Sequence, residues 1–169
     1  MIEKLSIIIP VFNEENTIYQ LLETVYKLSL IEKIKKEIIV INDCSKDNSE
    51  NEIKSFMDDN KPTNFNFINN PENLGKGGSI KVALAKLNGD YCIIQDADLE
   101  LKPTEINDLL KPIINNKAHI VYGSRFINSK KKKKESILNR IANKFLTIFG
   151  NICFGLHLTD MQTCYKLIP

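Results

Sequence analysis

No window of the sequence holds the roughly 18 uninterrupted apolar residues that a transmembrane helix needs, so none is encoded here. The opening MIEKLSIIIP has too short an apolar run before Pro10 for a signal peptide. Cysteine is sparse, and Cys44, Cys92, Cys153 and Cys164 contain no CxxC pair, which argues against structural zinc. The four read as reduced packing residues of a cytosolic protein. Neither His119 nor His157 has a partner at ligand or triad spacing, and no Ser–His–Asp or Cys–His arrangement is legible. Both phosphate-loop patterns, GxxxxGK[ST] and GxGxxG, are missing as well. General basic character is lacking too, because Lys130–Lys134 supply five of the 23 basic residues and the rest leave 18 against 21 acidic ones. A broad nucleic-acid-binding surface is therefore disfavoured.

What is present is a regular alternation. Short runs rich in isoleucine and valine recur at LSIIIPV (5–11), EIIVI (37–41), FNFI (65–68), YCIIQ (91–95) and AHIVY (118–122). Each has the length of a strand buried on both faces. Stretches of helical spacing lie between them, at about 14–29, 47–59, 77–87 and 104–115, with Pro103 placed at the start of the last. The economical architecture is a single α/β domain over 1–169, a mostly parallel sheet with helices on both faces. Its last residues, YKLIP, carry no polar tail or helix stop signal, so a longer chain is expected.

In such a sheet ligands bind beyond the carboxyl ends of the strands. The segments there are PVFNEEN, NDCSKD, DADLE and GSRF, so polar and charged residues gather on one rim. If the strand before DADLE continues, Asp96, Asp98 and Glu100 point to one side and offer hard oxygen ligands to Mg²⁺ or Mn²⁺. A solvated turn whose charges favour the next helix is an equal reading of those residues alone. Asp43 and Ser45 are first of all helix-cap candidates, although Asp43 can also accept from the N–H groups of a nucleotide base. NLGKGGS reads as a loop entering a helix, with Lys76 able to meet a phosphate. Arg125 stands where a guanidinium can hold a diphosphate bidentately.

Lys130–Lys134 read as a solvated run, with attraction to an anionic lipid surface as the lesser alternative. From 137 to 154 polar residues mark one helix face, among them Asn143 and Thr147, while apolar residues occupy the rest. A broad apolar face more often covers a core than lies at a membrane interface. Core is the expectation.

Taken in order, SIIIPVFNEENTI, IIVINDCSKDNS, NPENLGKGGSI, GDYCIIQDADLE, VYGSRF and TDMQTCYKL resemble the signatures of family 2 glycosyltransferases, and most of all those of dolichol- or polyprenol-phosphate sugar transferases. The resemblance implies the GT-A fold, a Rossmann-like nucleotide-sugar domain. It implies that Pro10, Phe12, Glu14, Ile41 and Asp43 surround base and ribose. Asp96, Ala97 and Asp98 would form the Asp-x-Asp motif, with Asp98 and Glu100 next to a divalent metal bridging the donor diphosphate. Arg125 would contact phosphate, Asp160 stands at the position of a candidate catalytic carboxylate, and Lys166 would assist with phosphates.

Four positions depart from the pattern: Asn42 for Asp, Phe12 for Tyr, Glu100 for Gln and Cys164 for Gly. The implied reaction is inverting transfer from a UDP- or GDP-sugar to a lipid phosphate, in the cytoplasm or on the cytoplasmic face of a membrane. A transferase acting on a glycan hydroxyl and a non-catalytic nucleotide-sugar-binding module are the competing readings. Nucleotidyltransferases are disfavoured because PVFNEEN stands where they carry a Gly-rich basic loop.

Overall fold

The computed structural model describes residues 2–125 and 137–169. Four parallel strands make the central sheet: β1 (Lys4–Val11), β2 (Lys35–Asn42), β3 (Phe65–Asn69) and β4 (Tyr91–Ile94). Their spatial order is β3-β2-β1-β4. The continuous apolar runs are explained by burial on both faces. Leu5, Ile7, Ile9 and Val11 of β1 join one core cluster, while Ile8 between them turns to a second.

Helices α1 (Ile18–Lys27), α2 (Ser49–Asn60) and α4 (Ile106–Ile114) supply the first cluster. In α1, Ile18, Leu21, Leu22 and Val25 recur at helical spacing and are all buried. Phe56 of α2 is fully buried and meets Tyr19, Tyr26 and Phe65. On the other face, Ala83 of α3 (Gly75–Leu84) packs with Ile8, Ile39, Ile41 and Cys92. Helices on both faces of a parallel sheet are thus as expected.

The connections place the crevice. From β1 the chain steps outward to β2 and β3, then returns to lay β4 on the other side of β1. Strand order reverses between β1 and β4, and the loops leaving their carboxyl ends flank a natural binding site.

Two expectations are corrected. Residues 118–122 are not a fifth parallel strand: only Val121–Tyr122 (β5) pair, antiparallel to Lys166–Leu167 (β6). His119 and Ile120 are exposed instead of buried, so nothing extends the strand toward residue 118. This small ribbon is tied to the main sheet by an antiparallel bridge between Cys92 and Ile168. The second correction concerns α5 (Ile137–Phe154), which buries Asn143 and Thr147 and leaves Phe145, Phe149 and Ile152 exposed. Its apolar face does not cover the core. The run Lys130–Lys134 lies outside the described residues.

Candidate functional site at the β1–β4 switch point

The loop leaving β1 is held by the loop leaving β2. Asn13, at φ 56°, donates from its backbone N–H to Ser45 Oγ at 3.0 Å, and its side-chain oxygen accepts from Lys46 N at 2.8 Å. Glu14 N donates to Ser49 Oγ at 2.7 Å, and Glu15 N to Asp47 Oδ2 at 3.0 Å. Ser45, a cap candidate in the sequence, thus braces the neighbouring loop instead, and α2 begins after Asn48 with no side-chain cap hydrogen bond. Phe12 is left exposed at the rim.

Asp43 is 3% exposed. Its Oδ1 accepts from Asn70 Nδ2 at 2.7 Å and Leu74 N at 2.9 Å. Burial pushes its carboxyl upward, but these hydrogen bonds, with help from Ser79, outweigh that and hold it below the usual range. The carboxylate is charged and fixes the NLGKGGS loop. Within that loop Gly75 has φ 71°, a left-handed conformation that suits glycine, and its N–H donates to Asn73 Oδ1 at 3.1 Å. The next residue, Lys76, reaches across to Asp96 Oδ1 at 2.5 Å. Burial lowers the ammonium's proton affinity, while Asp96 raises it by more.

The strand preceding DADLE ends at Ile94, so the assumed continuation through Glu100 fails. Ala97 and Asp98 lie in a turn, Leu99 takes φ 57°, and Glu100 N donates to Asp98 Oδ1 at 2.9 Å. The alternation that would have aligned three carboxylates is lost there. Among the described residues no group of three acidic, histidine or cysteine side chains stands ready for a metal. Asp96 and Asp98 share the crevice, whereas Glu100 does not line it.

That crevice encloses about 350 Å³ and is lined by Pro10, Phe12, Glu14, Asp43, Lys76, Asp96, Ala97 and Asp98, together with Val11, Asn73, Gly75 and Ser79. Eight residues singled out in the sequence thus come together. Ile41 is not among them, since its side chain is fully buried beneath α3. Lys166 is also elsewhere, its Nζ 5.3 Å from the centre of the Tyr122 ring.

Arg125 and Asp160 form a separate, adjoining unit. Asp160 is 1% exposed, and its Oδ2 accepts from Arg125 Nε at 2.8 Å while Oδ1 accepts from Arg125 Nη2 at 3.0 Å. Arg125 N and Asn143 Nδ2 add bonds of 3.2 and 3.1 Å. Burial raises the carboxyl's proton affinity, but Arg125 and Asn143 overcome this and leave it below the usual range. A carboxylate with both oxygens occupied and a depressed pKa is a poor proton acceptor and a good clamp. The same segment reaches the crevice through Cys164, whose Sγ lies 3.8 Å from Lys76 Nζ.

Two supporting residues were not singled out in the sequence. Gln95 is fully buried where β4 ends, and its Nε2 donates to the Asp96 carbonyl at 3.0 Å. Its Oε1 accepts from Tyr165 Oη at 2.5 Å. Burial keeps the Tyr165 phenol protonated and donating. The amide thus fixes the backbone of the Asp96–Asp98 turn. No local signal marks this pair, whose members are 70 positions apart.

Comparison with known proteins supplies the family. The glycosyl transferase family 2 model matches residues 6–168. Over 96% of this chain and 53% of the relative, the sequence is 32% identical to the dolichyl-phosphate beta-glucosyltransferase of Dictyostelium discoideum. It is 30% identical to the UDP-N-acetylglucosamine–dolichyl-phosphate N-acetylglucosaminyltransferase of Methanococcus voltae, covering 93% of this chain and 66% of that one. The chain spans about half the length of several curated relatives, 53% and 52% in two of them. Glucosyl-3-phosphoglycerate synthase of Mycobacterium tuberculosis shares its fold, with a TM-score of 0.73 at 17% identity over 98% of this chain and 56% of that one. The architecture is the GT-A one, and the chain belongs to glycosyl transferase family 2.

Proposed function

We propose that this chain is the nucleotide-sugar domain of an inverting transferase that moves a sugar from a UDP- or GDP-sugar to a polyprenyl phosphate. The observation that carries this reading is the crevice at the β1–β4 switch point, which Asp96, Asp98, Lys76 and the exposed Phe12 line together. Curated relatives whose names specify dolichyl-phosphate and undecaprenyl-phosphate transferases support the acceptor class.

Pro10, Phe12 and Asp43 would flank base and ribose, with Glu14 beside them, while Asp96, Ala97 and Asp98 would face the diphosphate. Mg²⁺ or Mn²⁺ fits this donor set, because such ions commonly use one or two carboxylates plus substrate phosphates. Asp96 and Asp98 would hold it; a third carboxylate is not required, and Glu100 has no direct part. When bound, the ion supplies electrostatic stabilisation of the departing nucleoside diphosphate. Mn²⁺ in the GDP-mannose complex of the Pyrobaculum calidifontis mannosyltransferase, a shared fold at TM-score 0.62 and 20% identity over 71% of this chain and 35% of that one, is compatible with this.

Lys76 adds positive charge at the donor phosphates. The acceptor phosphate is already ionised at neutral pH, so its oxygen can attack the anomeric carbon without surrendering a proton to the enzyme. What the chemistry asks of this region is positioning. Arg125, clamped by Asp160, is suited to meet a phosphate, and Asp160 acts through it as a positioning residue.

Labelled UDP- and GDP-sugars supplied to the full-length protein with polyprenyl phosphate test this directly. Label is expected in the organic-extractable lipid fraction. Label in a water-soluble glycan would instead establish a hydroxyl acceptor, and donor binding without transfer would establish a non-catalytic module.

A further inference from the structure

Lys76 holds a carboxylate that a divalent cation needs. Its Nζ lies 2.5 Å from Asp96 Oδ1 and 3.8 Å from Cys164 Sγ. Among the described residues that line the crevice it is the one basic side chain, set among the carboxylates of Glu14, Asp43, Asp96 and Asp98. An ammonium on Asp96 offsets that carboxylate's charge and repels a divalent ion brought to the same group. Lysine and cation therefore compete for Asp96.

The loop anchors this lysine at its base and leaves its tip free to exchange. Leu74 N donates to Asp43 Oδ1 at 2.9 Å, and Asn73 Nδ2 donates to the Asp43 carbonyl at 3.2 Å, so the backbone just before Lys76 is fixed. Gly75 and Gly77 flank it, and a Cβ added at either would meet nothing within 4 Å. The stem is uncrowded. The Lys76 side chain is 51% exposed and that of Asp96 18% exposed, and an ion pair this open is held weakly. A nucleoside diphosphate offers an ammonium more negative charge than a single carboxylate does, along with several acceptor oxygens.

We propose that Lys76 is an internal counter-ion that opposes cation binding at Asp96 and Asp98 until a nucleoside diphosphate draws the ammonium away. Resting on the donor-site reading above, this adds an order to it: cation and nucleotide enter as a pair while the lysine passes from carboxylate to phosphate. The coupling runs both ways. A cation without the nucleotide meets the ammonium at Asp96, and a nucleotide without the cation meets the carboxylates that the lysine has left.

The electron paramagnetic resonance signal of free Mn²⁺ measures cation binding to the full-length protein with no turnover involved. Without nucleotide the wild-type protein should bind Mn²⁺ weakly. Lys76→Met should bind it about tenfold more tightly, the effect of removing one positive charge about 5 Å from a divalent ion in a water-like dielectric. With UDP or GDP added, the factor by which the nucleotide tightens Mn²⁺ binding should be about tenfold smaller in the variant than in the wild type. Lys76→Gln should behave as Lys76→Met does, whereas Lys81→Met, which removes an exposed lysine farther along α3, should leave both values unchanged. The melting transition of the Lys76 variants should be retained, because the side chain is half exposed. A damaged fold can only weaken binding, so the expected gain in Mn²⁺ affinity has no trivial source. Unchanged or weaker Mn²⁺ binding by the folded Lys76 variants without nucleotide overturns the proposal.

The two readings fail separately. Mn²⁺-dependent nucleotide binding with the same coupling in wild type and Lys76→Met would leave the donor site standing and remove the lysine's role. Absence of Mn²⁺-dependent binding of either nucleotide to the wild-type protein would remove the donor site itself, and the lysine's role with it.

Discussion

Asp98→Asn in the full-length protein is expected to lower sugar transfer by about 10²-fold or more, while leaving the unfolding transition nearly unchanged. Asp98 is exposed on the turn, and the one bond described for its side chain is accepted from Glu100 N at 2.9 Å. An asparagine oxygen can still accept that bond, so the turn should survive. What disappears is one of the two carboxylate charges proposed to hold the ion. The loss should persist with either Mg²⁺ or Mn²⁺ and should fall on donor affinity as well as on kcat, because the ion would both hold the diphosphate and meet the charge that grows on the leaving group. Turnover equal to wild type in a steady-state assay would remove Asp98 from the proposed metal-binding role.

Asp160→Asn separates a clamp from a general base. A buried ion pair broken on one side typically costs about 3–5 kcal/mol. Here about 2–3 kcal/mol is expected, since Arg125 is partly exposed and an amide still offers one acceptor. Urea unfolding reads this directly.

The pH dependence has a defined sign. The folded-state pKa of Asp160 is lowered, so its stabilisation is complete above the unfolded carboxylate value and is lost as pH falls through the lower folded value. The stability gap between wild type and variant should thus stay flat from about pH 5 to pH 8 and close in stronger acid. Activity should fall through misplacement of Arg125, with no limb of the pH–rate profile removed. Disappearance of an acidic limb between about pH 5 and pH 7 would instead make Asp160 the base of the reaction.

The parts of the molecule written in local pattern were legible before any coordinates. LSIIIPV and EIIVI are strands because burial on both faces demands unbroken apolar residues, and the spacing in α1 marks its buried face. The rim followed from the alternation of strands and helices, which puts PVFNEEN, NDCSKD and DADLE beyond carboxyl ends, whereas the reversal between β1 and β4 is seen only in the strand order. Elsewhere the deciding partner was remote. Residues 118–122 looked like a further parallel strand, but the pairing of Val121–Tyr122 depends on Lys166–Leu167.

The acidic triplet failed as an alignment because the chain bends into a turn after Ile94, which parity along a strand cannot foresee. Periodicity found that α5 is amphipathic and said nothing of which face points inward; the bonds of Asn143, Thr147 and Asn151 decide that. Likewise, Asp160 reads as an open carboxylate until Arg125, 35 positions earlier, is seen to close on it.

The central claim is that the Asp96–Asp98 crevice holds a nucleoside diphosphate together with a divalent cation. Calorimetric titration with UDP and with GDP, each in Mn²⁺ and in chelator, tests it most directly. One of the two nucleotides is expected to bind in Mn²⁺ and to lose most of its affinity in chelator or when Asp98 is replaced by asparagine. Binding of equal strength with and without the cation, or no binding of either nucleotide, would contradict it.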